Sequence, residues 1–226
     1  MHQGNAERHA MSDCDGGRVA EGGDEAVAAT AFELLQNAVA SIGARLREVQ
    51  LPLHILLSSP FGELNENQEE LLAAARDATD AADLHLRQLA KLLDLERGAT
   101  VMMPEPISLQ DLLRPALAIA IARAAQSRID VQVHLPESAP RVLVDAVHAQ
   151  EALSAILTSL VSEIPERSAI LVDAAEDESG AVRIVVNHEE VARAQSLEWR
   201  LATRLIEAQH GRVCQERGRI TIELPR

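Results

Sequence analysis

The sequence predicts an α+β chain in two parts: an antiparallel helical hairpin that forms a dimeric four-helix bundle with a second copy, then a layer of helices on one mixed sheet. Two long stretches carry apolar residues at alternating spacings of three and four. After Gly98 this periodicity stops, and the remaining elements repeat the order helix, strand, strand.

Composition agrees with such a chain. Of 226 residues, 47% are hydrophobic and only 1% aromatic, so the core must be built from Leu, Ala, Val and Ile. The formal charge of −14 repels a phosphate backbone, and no basic stripe offsets it, so no nucleic-acid partner is expected. No apolar run approaches the ~20 residues of a membrane span, and the N-terminus has no signal-peptide core. A cytoplasmic protein without a membrane partner is expected. Cys14, Cys214 and eight scattered histidines give neither a disulfide framework nor a ligand spacing, so no metal is expected.

Residues 1–27 are rich in Gly, Asp, Glu and Ser and read as a disordered tail. Residues 28–97 form the hairpin. Phe32, Leu35, Val39, Ile42, Leu46, Val49, Leu53 and Leu56 make an unbroken heptad stripe, and Pro52 should bend its helix locally. Ser58 to Gly62 read as a turn, and Asn65 with Gln68 as a capping box. The second stripe runs Leu72, Ala75, Thr79, Ala82, Leu86, Leu89 and Leu93. One hairpin cannot bury both stripes, so the pattern implies a homodimer.

Residues 98–107, with Pro104 and Pro106, read as a linker, and 108–226 as the second domain. Ser108 and Asp111 cap a helix to about Gln126, followed by strands at Asp130–Leu135 and Arg141–Val144 and a helix at Ala146–Ile164. Strands at Ala169–Ala174 and Ala181–Asn187, a helix at Ser196–His210, and a hairpin of Arg212–Glu216 with Arg219–Leu224 complete it.

Over residues 32–226 the chain resembles the catalytic half of a sensor histidine kinase. The first helix of that family carries H-E-L-R-T-P-L; here Arg47-Glu48-Val49-Gln50-Leu51-Pro52-Leu53 stands in its place. Asp145 to Leu160 resembles the family's D-P-D-R-L-x-Q-V-L-x-N-L-L-x-N-A helix. Ile206-Glu207-Ala208-Gln209-His210-Gly211-Arg212-Val213 is similar to I-V-E-A-H-G-G-R-I. The resemblance implies a histidine-phosphotransfer-like hairpin over 28–97 and a GHKL-like α/β sandwich, an ATPase-like catalytic domain, over 108–226.

Set against that family, the positions that carry chemistry are changed. Arg47 occupies the phospho-acceptor position, and a guanidinium has no free lone pair with which to attack. The two Mg²⁺- and nucleotide-holding asparagines fall on Ala155 and Ser159. The D-x-G-x-G adenine motif falls on Asn187-His188-Glu189-Glu190, where carboxylates would stand beside a triphosphate. The phosphate-cradling glycines fall on Ser196 and Glu198, and the lid shrinks to the few residues between Glu190 and Gln195. No cofactor is therefore expected, ATP binding being lost.

Arg47, Gln50, Leu51 and His54 share one helix face, which by the resemblance would receive a response-regulator receiver domain or a cognate kinase. The bland alternative is a solvated face with one stray Leu. His54 lies seven residues past Arg47 and is a candidate displaced phospho-acceptor, tuned by Glu48 or a partner carboxylate; an exposed surface histidine is the plainer reading. Trp199 is expected to pack the last helix onto the sheet, and Glu189, Glu190 and Glu198 to be solvated, the alternative being that they gather a cation. The expected function is regulation of a phosphorelay by an inactive kinase homologue. The alternatives are an ATP-independent phosphotransferase using His54, and a divergent active kinase.

Overall fold

The structure, a computed structural model, describes residues 18–58, 62–136, 140–176, 181–188 and 196–226, with backbone alone for 18–29. Helix α1 spans Arg18–Leu57 and α2 spans Glu66–Glu96. Helix α1 begins ten residues before the expected start of the hairpin at residue 28, so the tail expected over 1–27 is helical from Arg18. The run Glu25-Ala26-Val27-Ala28-Ala29 is rich in helix-favouring Ala, which outweighs its lack of large apolar side chains. Residues 1–17 lie outside the described residues, as do Ser59, Pro60 and Phe61 of the expected turn.

Asn65 caps α2 as its sequence predicts: its side chain accepts from the Gln68 N–H, and the Gln68 side chain accepts from the Asn65 N–H. Packing along α2 divides the α1 stripe into two sets, each repeating every seven residues. Phe32, Val39, Leu46 and Leu53 are buried or half-buried, whereas Leu35, Ile42, Val49 and Leu56 keep 39–53% of their surface exposed.

The second part holds β1 (Glu105–Ser108), α3 (Leu109–Gln126), β2 (Asp130–His134), β3 (Arg141–Val144) and α4 (Ala146–Glu163). It continues with β4 (Ala169–Glu176), β5 (Val182–Asn187), α5 (Leu197–Glu207), β6 (Arg212–Glu216) and β7 (Arg219–Leu224). Where one mixed sheet was expected there are two. The main sheet runs β2-β4-β5-β7-β6, with β2 parallel to β4 and the other pairs antiparallel. β1 and β3 form a separate antiparallel ribbon. The linker expected over 98–107 thus ends in a strand, and Pro106 is tolerated there because β1 is an edge strand, paired with β3 alone.

Alternation along the main sheet turns Ile170, Val172, Val182, Ile184, Val186, Ile220, Ile222 and Leu224 inward, against Leu113, Ala116, Leu153, Ile156, Leu205 and Ile206 of the helices. Trp199 is the aromatic member of this core, as expected for the residue that seats α5. Pro115 interrupts α3 by freeing the Asp111 carbonyl, and the Gln150 side chain of α4 donates to that oxygen at 3.5 Å. α5 is shorter than expected because Ser196 serves as its cap and His210 turns to a positive φ of 62° just past its end.

Asp145, the cap of α4, joins the linker to this core. Its carboxylate accepts from the Met103 N–H at 3.0 Å and the His148 N–H at 3.1 Å, with the His148 ring at 3.0 Å. Burial alone would raise its pKa, but these donors outweigh burial and hold it below the usual carboxylate value. The Asp145 N–H in turn donates to Gln209 Oε1 at 2.7 Å, tying α4 to the end of α5. No helix among the described residues is long and apolar enough to cross a membrane.

Candidate functional site

Heptad geometry decides where the α1 residues of interest go. Arg47 and His54, seven residues apart, lie on one face, with Gln50 and Leu51 between them. That face is turned away from the exposed set of Ile42 and Val49. Leu51 is 65% exposed, and Arg47 and His54 are exposed. Gln50 is half-buried and is drawn onto α2, its side chain donating to Asp80 at 3.0 Å. Glu48 is exposed and sits six residues before His54, roughly 240° around the helix, so its side chain leaves on a different face.

Asp83 of α2, which the sequence reading missed, completes this face. Its carboxylate is buried between two guanidiniums, with Arg87 at 3.1 Å and Arg47 at 3.7 Å. A cavity of about 330 Å³ opens between the two helices beside them, walled by Val39, Ala40, Gly43 and Ala90. Small residues at 40, 43 and 90 leave this space. The signal in sequence was an Asp on the apolar side of an amphipathic helix, four residues before an Arg.

A second cavity, of about 520 Å³, lies where α2 meets α3, α4 and α5. Ala155 and Glu198 both line it, so the structure brings together two of the expected nucleotide positions. Ser159 is half-buried one turn past Ala155, and Asn187, at the end of β5, donates to Asp173 at 3.5 Å. Neither lines the cavity. Glu189, Glu190 and the shortened lid lie outside the described residues.

The start of α5 is already occupied electrostatically. The Ser196 hydroxyl accepts from the Trp199 N–H at 3.1 Å, and Glu198 stands in the first turn, where its charge complements the helix dipole. An anion approaching this end would meet a used donor and a carboxylate. On the opposite wall Lys91 of α2 pairs with Glu151 of α4. Nearby, Arg204 of α5 grips Glu96 of α2 through two nitrogens at 2.8 and 3.1 Å. These contacts seat the sheet domain on the hairpin. Among the described residues no group of His, Cys, Asp and Glu is arranged to hold a metal ion.

No protein-family model and no curated protein sequence matches the chain. Solved structures do. Full-length ShkA in complex with AMPPNP superposes with a TM-score of 0.66 at 20% identity, over 84% of this chain and 45% of that one. The chain thus spans less than half the length of ShkA. The histidine kinase AdeS of Acinetobacter baumannii superposes with a TM-score of 0.58 at 12% identity, over 80% of this chain and 94% of that one. By element order, sheet topology and these superpositions, the chain has the histidine-kinase fold, a helical hairpin followed by a GHKL-like α/β domain.

Proposed function

We propose that this chain is a non-catalytic, homodimeric protein of two-component signalling, working in the cytoplasm, that docks a receiver domain or a cognate kinase on the outer face of its hairpin. The observation that carries the reading is Arg47, a group unable to accept phosphate, standing exposed beside Leu51 at the position where the family keeps its histidine. Ala155, Ser159 and Glu198 support the loss of ATP binding: the first offers no ligand atom, and the last places a carboxylate where phosphates would lie. Leu35, Ile42, Val49 and Leu56 supply the face for a second copy.

Titrating purified receiver domains and kinase hairpins against the chain tests the docking, with Leu51→Asp as the disrupting variant. Saturable binding that Leu51→Asp abolishes is the expected result; binding that ignores the substitution moves the partner to another face. MgATP tests the catalytic half of the reading. A ligand at a hundred times its Kd stabilises a fold by about 2.7 kcal/mol, so a bound nucleotide would raise the melting temperature measurably. No rise is expected up to millimolar MgATP.

The exposure of His54 on the Arg47 face favours one second reading, a relay that needs no ATP. Incubation with phosphorylated receiver would then leave acid-labile phosphate on the chain, and His54→Ala would remove it.

A further inference from the structure

We infer that Arg47 and Arg87, bracketing the buried Asp83, form a receptor for an acidic side chain presented by the partner protein. The inference rests on the docking face proposed above and names the chemistry it selects. Asp83 is only 6% exposed, and its Oδ1 is sealed from solvent without a hydrogen-bond donor, since Arg47 stands 3.7 Å away. A buried carboxylate with an unfilled acceptor is costly unless cations hold it. The two guanidiniums answer that need, Arg47 beside Oδ1 and Arg87 beside Oδ2.

Each arginine spends little of itself on Asp83. Their side chains are 59% and 68% exposed, and a guanidinium has five N–H donors, more than the single contact each makes with the carboxylate uses. Around Asp83 itself two positive charges against one negative leave a single unit of positive charge, which one further carboxylate neutralises; Asp94, the other carboxylate on the cavity, lies two helical turns along α2 from Arg87. A phosphoryl dianion would overfill it. The adjoining cavity of about 330 Å³, floored by Val39, Ala40 and Ala90, has room for the aliphatic stem of a Glu or Asp. Gly43 lines the same cavity beside the Arg47 guanidinium. Asp83 is the positioning residue, and Arg47 and Arg87 are the contacts.

The chain's overall charge of −14 makes the site testable with a simple probe, because an acidic peptide is repelled everywhere that local cations do not prevail. A fluorescent hexaglutamate peptide is titrated against the full chain by anisotropy, beside a phosphoserine peptide of equal length. Hexaglutamate is expected to bind saturably and more tightly than the phosphopeptide. Arg47→Ala and Arg87→Ala should each weaken it by about tenfold, Arg47→Lys should recover part of the loss, and Arg45→Ala should change nothing. Asp83→Asn, with folding checked by circular dichroism, should weaken binding although it removes a negative charge, a sign that simple charge counting does not give.

Absence of saturable hexaglutamate binding, indifference to both alanine variants, preference for the phosphopeptide, or tighter binding by Asp83→Asn overturns the inference. The docking reading fails separately. If hexaglutamate binds as described yet no receiver or kinase hairpin is held through Leu51, the receptor stands and that reading falls.

Discussion

Ile42→Ala should weaken self-association without unfolding the hairpin. Ile42 sits in the middle of the four-residue exposed set and keeps 53% of its surface in one copy. Full burial of an isoleucine side chain is worth about 1.5–3 kcal/mol, so the exposed half contributes about 1 kcal/mol when a second copy covers it. A two-fold interface loses this twice, and the cavities left behind add to the loss, giving about 2–3 kcal/mol per dimer. The dimer dissociation constant should rise by about 30- to 150-fold. Sedimentation equilibrium over a micromolar range reads this directly. Leu34→Ala serves as the control, because Leu34 is as exposed but lies off the stripe. A parent chain that stays monomeric, or an Ile42→Ala chain that associates as tightly as the parent, refutes the reasoning. Loss of association in Leu34→Ala to the same extent would also refute it, by removing the stripe's privilege.

Val39→Ala, on the buried α1 set, should instead cost about 1–3 kcal/mol of stability in urea unfolding of the hairpin, because its cavity lies inside one copy. Asp145→Ala should remove the α4 cap and cost about 1–2 kcal/mol at neutral pH. The folded-state pKa of Asp145 is depressed, so its charged form contributes stability that is present above the unfolded pKa and lost as pH falls through the folded value. The gap between parent and Asp145→Ala should therefore narrow in acid, and a constant gap in urea titrations down to pH 3 would refute the linkage. Gly211→Ala should destabilise by about 1–3 kcal/mol by thermal melt, since the added carbon would stand 2.7 Å from the Glu223 carbonyl and from the Ile206 side chain.

Much of this fold is legible in the sequence because its periodicities are clean. The capping box at Asn65 and the N-caps at Ser108, Asp145 and Ser196 fix where helices start, and the alternation of β5 and β7 fixes which side of each strand is inward. Elements that depend on distant partners were not legible. β1 has no alternation and contains Pro106; it is a strand only because β3 lies alongside. The early start of α1 rests on alanine propensity, which competes with the glycine-rich composition around it.

The candidate face divides in the same way. The placement of Arg47, Leu51 and His54 on one face follows from counting residues along a helix. That Gln50 is bound to Asp80, and that Asp83 is held by Arg47 as well as Arg87, depends on which residues of α2 fall opposite α1. The pairing of two helices is not written in either one. Likewise, the space beside Ala155 is bounded by Leu84, Arg87 and Lys91 of the hairpin, a wall that no motif of the sheet domain announces.

Pairing of β1 with β3 leaves only the eight residues between Glu96 and Glu105 as the tether between the two halves of the molecule. Fully extended, such a tether reaches about 26–29 Å, and the bond from Met103 to Asp145 takes up part of that length. Were the Arg204–Glu96 and Lys91–Glu151 pairs and the packing of Leu92 on the core all undone, the sheet domain would travel on a short leash, within a radius not much wider than the domain itself. Any partner drawing it farther must first peel β1 from the ribbon, one backbone hydrogen bond after another.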